Sequence, residues 1–311
     1  MPEALDETTR EVLVTAAFEA GNGDVSAVTF LPRADVPSLG AIIAAPRDGG
    51  LDLYDADGER RAQHAGARLT TLATAPGFQL RGESLPLIFG SAADGSGVLG
   101  FAVVMDQFTV LDLPLGEIEP VDGVAGLCLL EEGIGYVDLV ILGTGASAEI
   151  WRISDTGEDA LNVTRTAQMP LPAPARACSA MGESLYVLSP AAGVARLTES
   201  GEVVAEVAVA ASGLATGQFN GTPLVITSTG NGANLEAFDA NDLMPTATIT
   251  VVDGLSTPGV GQAGAISVTD QTYGYTAYSQ GMVAIFDRED QRVKVISREA
   301  FARAYVAEQA D

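Results

Sequence analysis

Histidine and lysine are almost missing from this 311-residue chain, which has one of each, His64 and Lys294. A single histidine excludes metal sites built from several imidazoles and leaves one candidate for imidazole acid–base chemistry. A single lysine excludes a lysine-rich patch. With 16 basic residues against 41 acidic ones the net charge is −25. Binding nucleic acid or anionic membranes needs clustered cations to neutralise phosphates, so neither is expected as a partner. Cysteine is down to two, tryptophan to one and aromatic residues to 6%. No uninterrupted apolar run reaches the ~18 residues of a membrane-crossing helix. The opening stretch from Met1 to Arg10 has neither the basic nor the apolar region of a secretory leader. It fits a cytosolic N-terminus or a chain whose leader was removed, and the sequence does not choose.

Glycine is abundant, with 35 residues, and 47% of the chain is hydrophobic. That much apolar content beside so many turns argues for a folded chain of short strands rather than disorder or long helices. Strand-like runs recur at Leu39–Ala45, Leu51–Tyr54, Leu85–Phe89, Val98–Val104, Gly126–Leu130, Tyr136–Leu142 and Glu149–Ile153. They continue at Ser184–Leu188, Val203–Val209, Leu224–Thr227, Thr246–Val252, Ala265–Val268 and Met282–Phe286. Asp55-Ala-Asp57-Gly58 sits between apolar runs and reads as a hairpin turn, since Asp and Gly accept the backbone such turns need. The pattern is all-β.

One half of the hairpin recurs six times, starting at Gly50, Gly97, Glu149, Gly193, Leu235 and Met282, and reads as an outer strand of each unit. These starts fall roughly 40 to 55 residues apart, the spacing of propeller blades, and leave about 52 residues per unit, enough for four strands. The prediction is a six-bladed β-propeller in a single domain over residues 21–296; the alternative is a pair of β-sandwiches. Residues 1–20 are read as a lead-in with one strand, Val12–Ala17. Phe301, Ala304, Tyr305 and Glu308 lie at helical spacing, which predicts a short helix in the tail 297–311. Ring closure should pair a strand from residues 10–35 with strands from 260–296.

Read in order, several segments resemble the β-propeller phytases, calcium-dependent phosphatases that act on phytate. The run from Ile42 to Gly58 looks like the family's IIGTDKKGGLYVYDLDG, and Gly126-Leu-Cys-Leu129 is similar to its YGLCLY. Ala177-Cys178 and Leu185-Tyr-Val187 stand where the family has EGCVADDE and LYVGEE. The run from Leu224 to Gly232 looks like YLIASSQGN, and the run from Tyr278 to Asp287 resembles YPQGLFVVQD. The matches are collinear from about residue 24 to 287.

The resemblance implies carboxylates gathered around bridging calcium ions, because hard cations take oxygen ligands and activate the attacking water. Those carboxylates are missing. The family's NNVD corresponds to Thr70-Thr-Leu-Ala73, and its EGCVADDE to the run from Arg176 to Glu183, without the leading glutamate or either aspartate. The paired glutamates fall on Ser189-Pro190, the glutamate of DxEGL on Ser212, and TDG on Gln262-Ala-Gly264. Of DDPA only Asp24 remains. Among the phosphate-binding cations, the lysine of TDK falls on Arg47, a candidate phosphate contact. The arginine of SNR falls near Ala92-Ala93, and a third basic position lies within Thr144–Ser147. No catalytic residue and no metal ligand is assigned.

Other signals have local explanations. Gly259-Val-Gly261-Gln-Ala-Gly264 spells GxGxxG but has no helix pattern after it, so it reads as a loop. His64 reads as an exposed loop residue, since no GxSxG elbow accompanies it. Asp55 and Asp57 lack the remaining ligands of a calcium loop. Asn162-Val-Thr164 and Asn220-Gly-Thr222 fit the glycosylation sequon, which matters only in a eukaryotic secretory pathway. Trp151 reads as packing between blades. The acidic surplus reads as solubility through self-repulsion, with an acidic face for a basic or calcium-bearing partner as the alternative.

The resulting expectation is a phytase-like propeller that has lost catalysis and acts as a monomeric binding module. It would use a propeller face for a protein or surface partner, without a cofactor, in the periplasm or at a bacterial cell surface. The alternatives are a calcium-dependent phosphatase with displaced ligands, and a cytoplasmic location. Because Cys128 and Cys178 lie in segments resembling the family's GLC and GC runs, the resemblance places them on equivalent strands of blades three and four, close enough to bridge. Two buried free thiols are the other reading.

Overall fold

The computed structural model describes residues 9–20 and 23–306. Short strands cut by turns cannot bury two faces in one hairpin, and here they do so by stacking sheet against sheet around a ring. From the innermost strand outward, blade 1 holds Val25–Leu31, Ala41–Pro46, Leu51–Tyr54 and Arg60–His64. Blade 2 holds Leu69–Ala75, Leu87–Ala92, Val98–Val104 and Thr109–Leu113. Blade 3 holds Gly126–Gly133, Tyr136–Leu142, Ser147–Ser154 and Asn162–Pro170. Blade 4 holds Ala177–Met181, Ser184–Ser189, Gly193–Thr198 and Val203–Val207. Blade 5 holds Gly213–Phe219, Thr222–Ser228, Asn234–Asp239 and Pro245–Val252. Blade 6 takes Ala263–Thr269, Met282–Asp287 and Arg292–Ser297 from the end of the chain. Each inner strand contacts the next, and the sixth returns to the first. The chain is a six-bladed β-propeller of four-stranded blades.

The fourth strand of blade 6 comes from the N-terminus. Ala16–Glu19 pairs antiparallel with Arg292–Ser297, in the register Ala16 with Val295 and Phe18 with Val293. The expected lead-in strand over Val12–Ala17 is in fact two strands. Thr9–Leu13 turns away to add a fifth, parallel strand to blade 5 along Pro245–Val252. A propeller made of open sheets has two loose ends, and this double insertion covers an edge of each of the last two blades.

The recurring half-hairpin also needs correcting. It falls on the third strand of blades 1 to 5 and on the second strand of blade 6, never on the outermost strand. Strands in the middle of a blade are covered on both faces by neighbouring blades, so they read as continuous apolar runs. Ala41–Pro46, Leu51–Tyr54 and Met282–Asp287 are buried along their whole length. Outermost strands such as Arg60–His64 and Val203–Val207 are half-buried or exposed and carry polar residues.

Inner strands of adjacent blades share no ladder, so side chains join them. Thr74 Oγ1 donates to the Phe30 carbonyl (2.7 Å) between blades 2 and 1, and the Leu127 amide donates to Thr71 Oγ1 (2.9 Å) between blades 3 and 2. Ser179 and Thr216 hydroxyls meet at 2.8 Å between blades 4 and 5, and Ser228 donates to the Gly264 carbonyl between blades 5 and 6. Tyr273 closes the ring by donating to the Ala41 carbonyl of blade 1 (3.1 Å). Between blades 3 and 4 the link is covalent, a Cys128–Cys178 disulfide with α-carbons 5.6 Å apart. The approach there is tight: a β-carbon on Gly126 would sit 2.5 Å from the Arg176 carbonyl oxygen, so only glycine fits.

Within the described residues the tail forms the helix Arg298–Val306, and Glu308 lies outside them. Its Phe301 is fully buried, with its ring 4.9 Å from that of Phe219 in blade 5.

Candidate functional site

All six inner strands begin on the same face, where a cavity of about 800 Å³ opens over the channel. Its wall comes from the starts of inner strands and from the connections between second and third strands. The former supply Ser26, Thr70, Thr71, Arg176 and Ser212, and the latter Arg47, Ala92, Ala93, Thr144, Pro190 and Arg288. Positions singled out by the phytase resemblance, scattered through the sequence, are therefore neighbours in space. They differ in chemistry from the family's carboxylates.

Four arginines line this mouth: Arg47, Arg68, Arg176 and Arg288. Lys294 apart, every cation of the chain is an arginine, so a quarter of the 16 cations surround one opening in a molecule of net charge −25. Two of the four are partly committed. Arg47 Nε is 2.8 Å from Asp24 Oδ2, and Arg288 Nε is 3.8 Å from Asp24 Oδ1. The Arg47 amide also donates to the Asp24 carbonyl (2.9 Å), which fixes the loop, and Arg288 Nη1 reaches the Gly230 carbonyl at 3.4 Å. Even so, Asp24 Oδ1 and Arg288 Nε are buried and have no hydrogen-bond partner among the described residues. The exposed side chains of Arg68 and Arg176 make no hydrogen bond or ion pair with any described residue. Asp94 is the one carboxylate of the lining; hydrogen bonds from the Ser96 hydroxyl and amide hold it below the usual carboxylate range. No aromatic ring lines the cavity.

Calcium does not suit these residues. A hard cation takes six to eight oxygen ligands with several carboxylates among them. Here four guanidinium groups face the opening, and Asp24 is already shared between two of them. Among the described residues no three His, Cys, Asp or Glu side chains gather closely enough to hold one ion.

Arg47 stands at the mouth, and Cys178 lines it as one half of the disulfide with Cys128. Arg68 and Arg288 were not singled out by sequence, and Arg176 was noticed only as a missing glutamate. Their shared signal is positional, since Arg68 and Arg176 each immediately precede an inner strand and Arg47 and Arg288 each follow a second strand. His64 is not a loop residue: it ends the outer strand of blade 1, its Nε2 is 2.9 Å from Asp112 Oδ1, and its ring stands edge-on to Phe101. Trp151 packs with Val124 and Ile141 and against Val98 of blade 2, donating its Nε1–H to Glu149 at 2.8 Å. Asp55 shapes its hairpin by accepting the Asp57 and Glu59 amides, and Gly58 takes φ +82° there. The GxGxxG segment is a loop leading into an inner strand, with the Gly261 and Gln262 amides donating to Asp287.

No protein-family model matches the chain, and no curated protein matches it in sequence. Solved structures resemble it in fold. BBS1N in a complex with ARL6DN superposes with a TM-score of 0.57 at 9% identity, covering 92% of this chain and 96% of that one. The WD40 β-propeller domain of Doa1 gives 0.53 at 11% identity, covering 94% and 99%. The β-propeller domain of Cps50 (Swd1) from Myceliophteria thermophila gives 0.52 at 11% identity, covering 90% and 98%. At such identities the likeness reaches the β-propeller fold and no further.

Proposed function

We propose that the protein is a binding propeller of phytase-like descent, without catalysis, that takes an anionic ligand at its channel mouth. The observation that carries this reading is the set of four arginines around the cavity, two of them unpaired among the described residues, in a chain with a large acidic excess. Self-repulsion among carboxylates keeps such a surface soluble, whereas cations collected in a concave site focus the field on an incoming anion. The segments that in phytases hold calcium carry Thr70-Thr71, Arg176 and Ser212 here, so charge is neutralised by guanidinium groups rather than by metal. Guanidinium forks suit phosphate and carboxylate alike. The disulfide accords with an oxidising compartment, the periplasm or the cell exterior. Protein docking through a propeller face is the second reading, favoured by the complex that BBS1N makes with ARL6DN.

The test uses tripolyphosphate as ligand in the presence of a chelator. It should raise the melting temperature, the effect should fade with salt, and the double variant R68E/R176E should abolish it. A phosphate-release assay on phytate with calcium should stay at the buffer control. Calcium-dependent release well above that control, or undiminished binding by R68E/R176E, would overturn the proposal.

A further inference from the structure

At the mouth, the inner strand of blade 2 slips out of register with its neighbour. Leu72 pairs with Gly90 but Leu69 pairs with Ala92, so Thr70 and Thr71 together oppose one residue, Ser91. The inner strands of blades 4 and 5 pair without such a shift. A bulge re-aims side chains, and here both threonine hydroxyls meet the buried Ser91 Oγ, at 2.7 Å from Thr70 and 2.6 Å from Thr71. The Thr71 amide donates to Ser91 Oγ at 3.1 Å, and Thr71 Oγ1 accepts the Leu127 amide at 2.9 Å. Three hydroxyl protons thus serve two contacts between hydroxyls, and one is left over. Were it Ser91's, that oxygen would accept from both threonines and from the Thr71 amide, three bonds for two lone pairs. The order Leu127 amide to Thr71 to Ser91 to Thr70 is the one in which all three hydroxyls accept, and bonds in such a chain strengthen one another. It leaves the proton of Thr70, a half-buried residue of the cavity wall, without an acceptor among the described residues.

The surroundings say what would take that proton. Arg68 lies two residues before Thr70. A β-carbon on Gly126, at the start of blade 3, would sit 3.3 Å from Thr71 Cγ2 on one side and 2.5 Å from the Arg176 carbonyl oxygen on the other. The spare proton therefore belongs to the stretch of wall that carries Arg68 and borders Arg176, the two arginines whose side chains are unpaired among the described residues. Resting on the anion-site reading above, we infer that Thr70 is the third donor of this wall and selects a tetrahedral oxoanion, a phosphoryl or sulfuryl head group, over a carboxylate. A carboxylate lies flat in a guanidinium fork and spends both oxygens there. A tetrahedral group in the same fork presents a third oxygen outside that plane, and the Thr70 hydroxyl supplies it with a proton. Ser91 and Thr71 act through Thr70: they fix which way its proton points.

Calorimetry with chelator present tests this on tripolyphosphate and on three probes that share one spacer and differ in their heads: glutarate, propane-1,3-disulfonate and propane-1,3-diphosphonate. Thr70→Val keeps the shape of the side chain and removes its proton. It should weaken tripolyphosphate, the disulfonate and the diphosphonate by about tenfold, the increment of a hydrogen bond to a charged group, and leave glutarate within about twofold. Thr70→Ser, which keeps the hydroxyl, should bind like the wild type. The tighter of the disulfonate and the diphosphonate identifies the head group as sulfuryl or phosphoryl. Equal binding of tripolyphosphate by T70V and the wild type overturns the inference and leaves the anion site standing. An equal loss for glutarate does the same, because Thr70 would then support the mouth without selecting its ligand. No binding of any probe by the wild type overturns both readings. If the wild type binds tripolyphosphate alone, its loss in T70V and recovery in T70S decide. Should T70V fail to fold, Thr70→Ala takes its place with the same expected outcomes.

Discussion

The seam where the ring closes and the mouth of the channel treat the same kind of charge in opposite ways. At the seam the only lysine, Lys294, is fully buried opposite Ala17 of the N-terminal strand. Its ammonium binds Asp290 and the Pro258 carbonyl (3.1 Å), with Asp287 at 4.0 Å. Asp287 is itself supplied by the amides of Gly261, Gln262 and Glu289. At the mouth Arg68 and Arg176 are exposed and unpaired among the described residues. A buried charge must be matched for the fold to survive, whereas water solvates an exposed one at no structural cost. The seam's cation therefore serves stability, and the mouth's cations are left for something that arrives from outside.

The strongest way to break this contrast is to remove the seam. Deleting residues 1–20 strips the outer strand from blade 6 and the fifth strand from blade 5, leaving two open edges. It also removes Phe18, whose ring lies 4.6 Å from that of Tyr54 in blade 1. The deletion should consume most of the ~5–15 kcal/mol that holds a domain folded. Circular dichroism melts would show a large fall in midpoint or a loss of cooperativity; an unchanged melt would mean the ring closes without its N-terminus.

A finer cut exchanges single cations. Lys294→Met leaves Asp290 without its buried partner and should cost about 3 kcal/mol, the low end for a broken buried pair, because Asp287 keeps its three amides. Arg68→Ala and Arg176→Ala should stay within about 0.5 kcal/mol of the wild type in denaturant unfolding. If the mouth arginines destabilised as much as Lys294, they would be structural and the contrast would collapse.

The same contrast explains what the sequence disclosed. Strands in the middle of blades, such as Leu51–Tyr54, Val98–Val104 and Tyr136–Leu142, were legible to the residue, because burial on both faces demands continuous apolar runs. Four of the six inner strands, at Val25–Leu31, Leu69–Ala75, Ala177–Met181 and Gly213–Phe219, were not picked out. Thr71, Thr74, Ser179 and Thr216 interrupt three of them, and these are the hydroxyls that join one blade to the next. Residues that assemble the ring thus erase the apolar signal of the strands that carry them. The mouth was half legible. Arg47 followed from the resemblance, but Arg68, Arg176 and Arg288 become one site only when strand starts and second-to-third connections converge on one face.

The smallest expected effect comes from an exception at the seam side of blade 1. Asp52 shares a strand face with Tyr54, which packs against Phe18, and its carboxylate is fully buried. Tyr54 donates to its Oδ2 at 3.2 Å and Arg60 stands at 3.7 Å, but Oδ1 has no hydrogen-bond partner among the described residues. Burial pushes this carboxyl above its ordinary value, against the opposing pull of Arg60 and Tyr54. The unfolded chain releases the proton near the usual pKa of about 3.9, while the folded state holds it to higher pH. Over that window the folded state binds more protons, so stability falls as pH rises and stays reduced once Asp52 is ionised in both states. Asp52→Asn keeps an oxygen acceptor for Tyr54 and cannot ionise. The melting difference between D52N and the wild type should therefore shift in favour of the variant as pH rises from about 4 toward neutrality. A D52N difference that did not change with pH would mean that Asp52 is matched as fully as Lys294, and the seam would then hold no unbalanced charge at all.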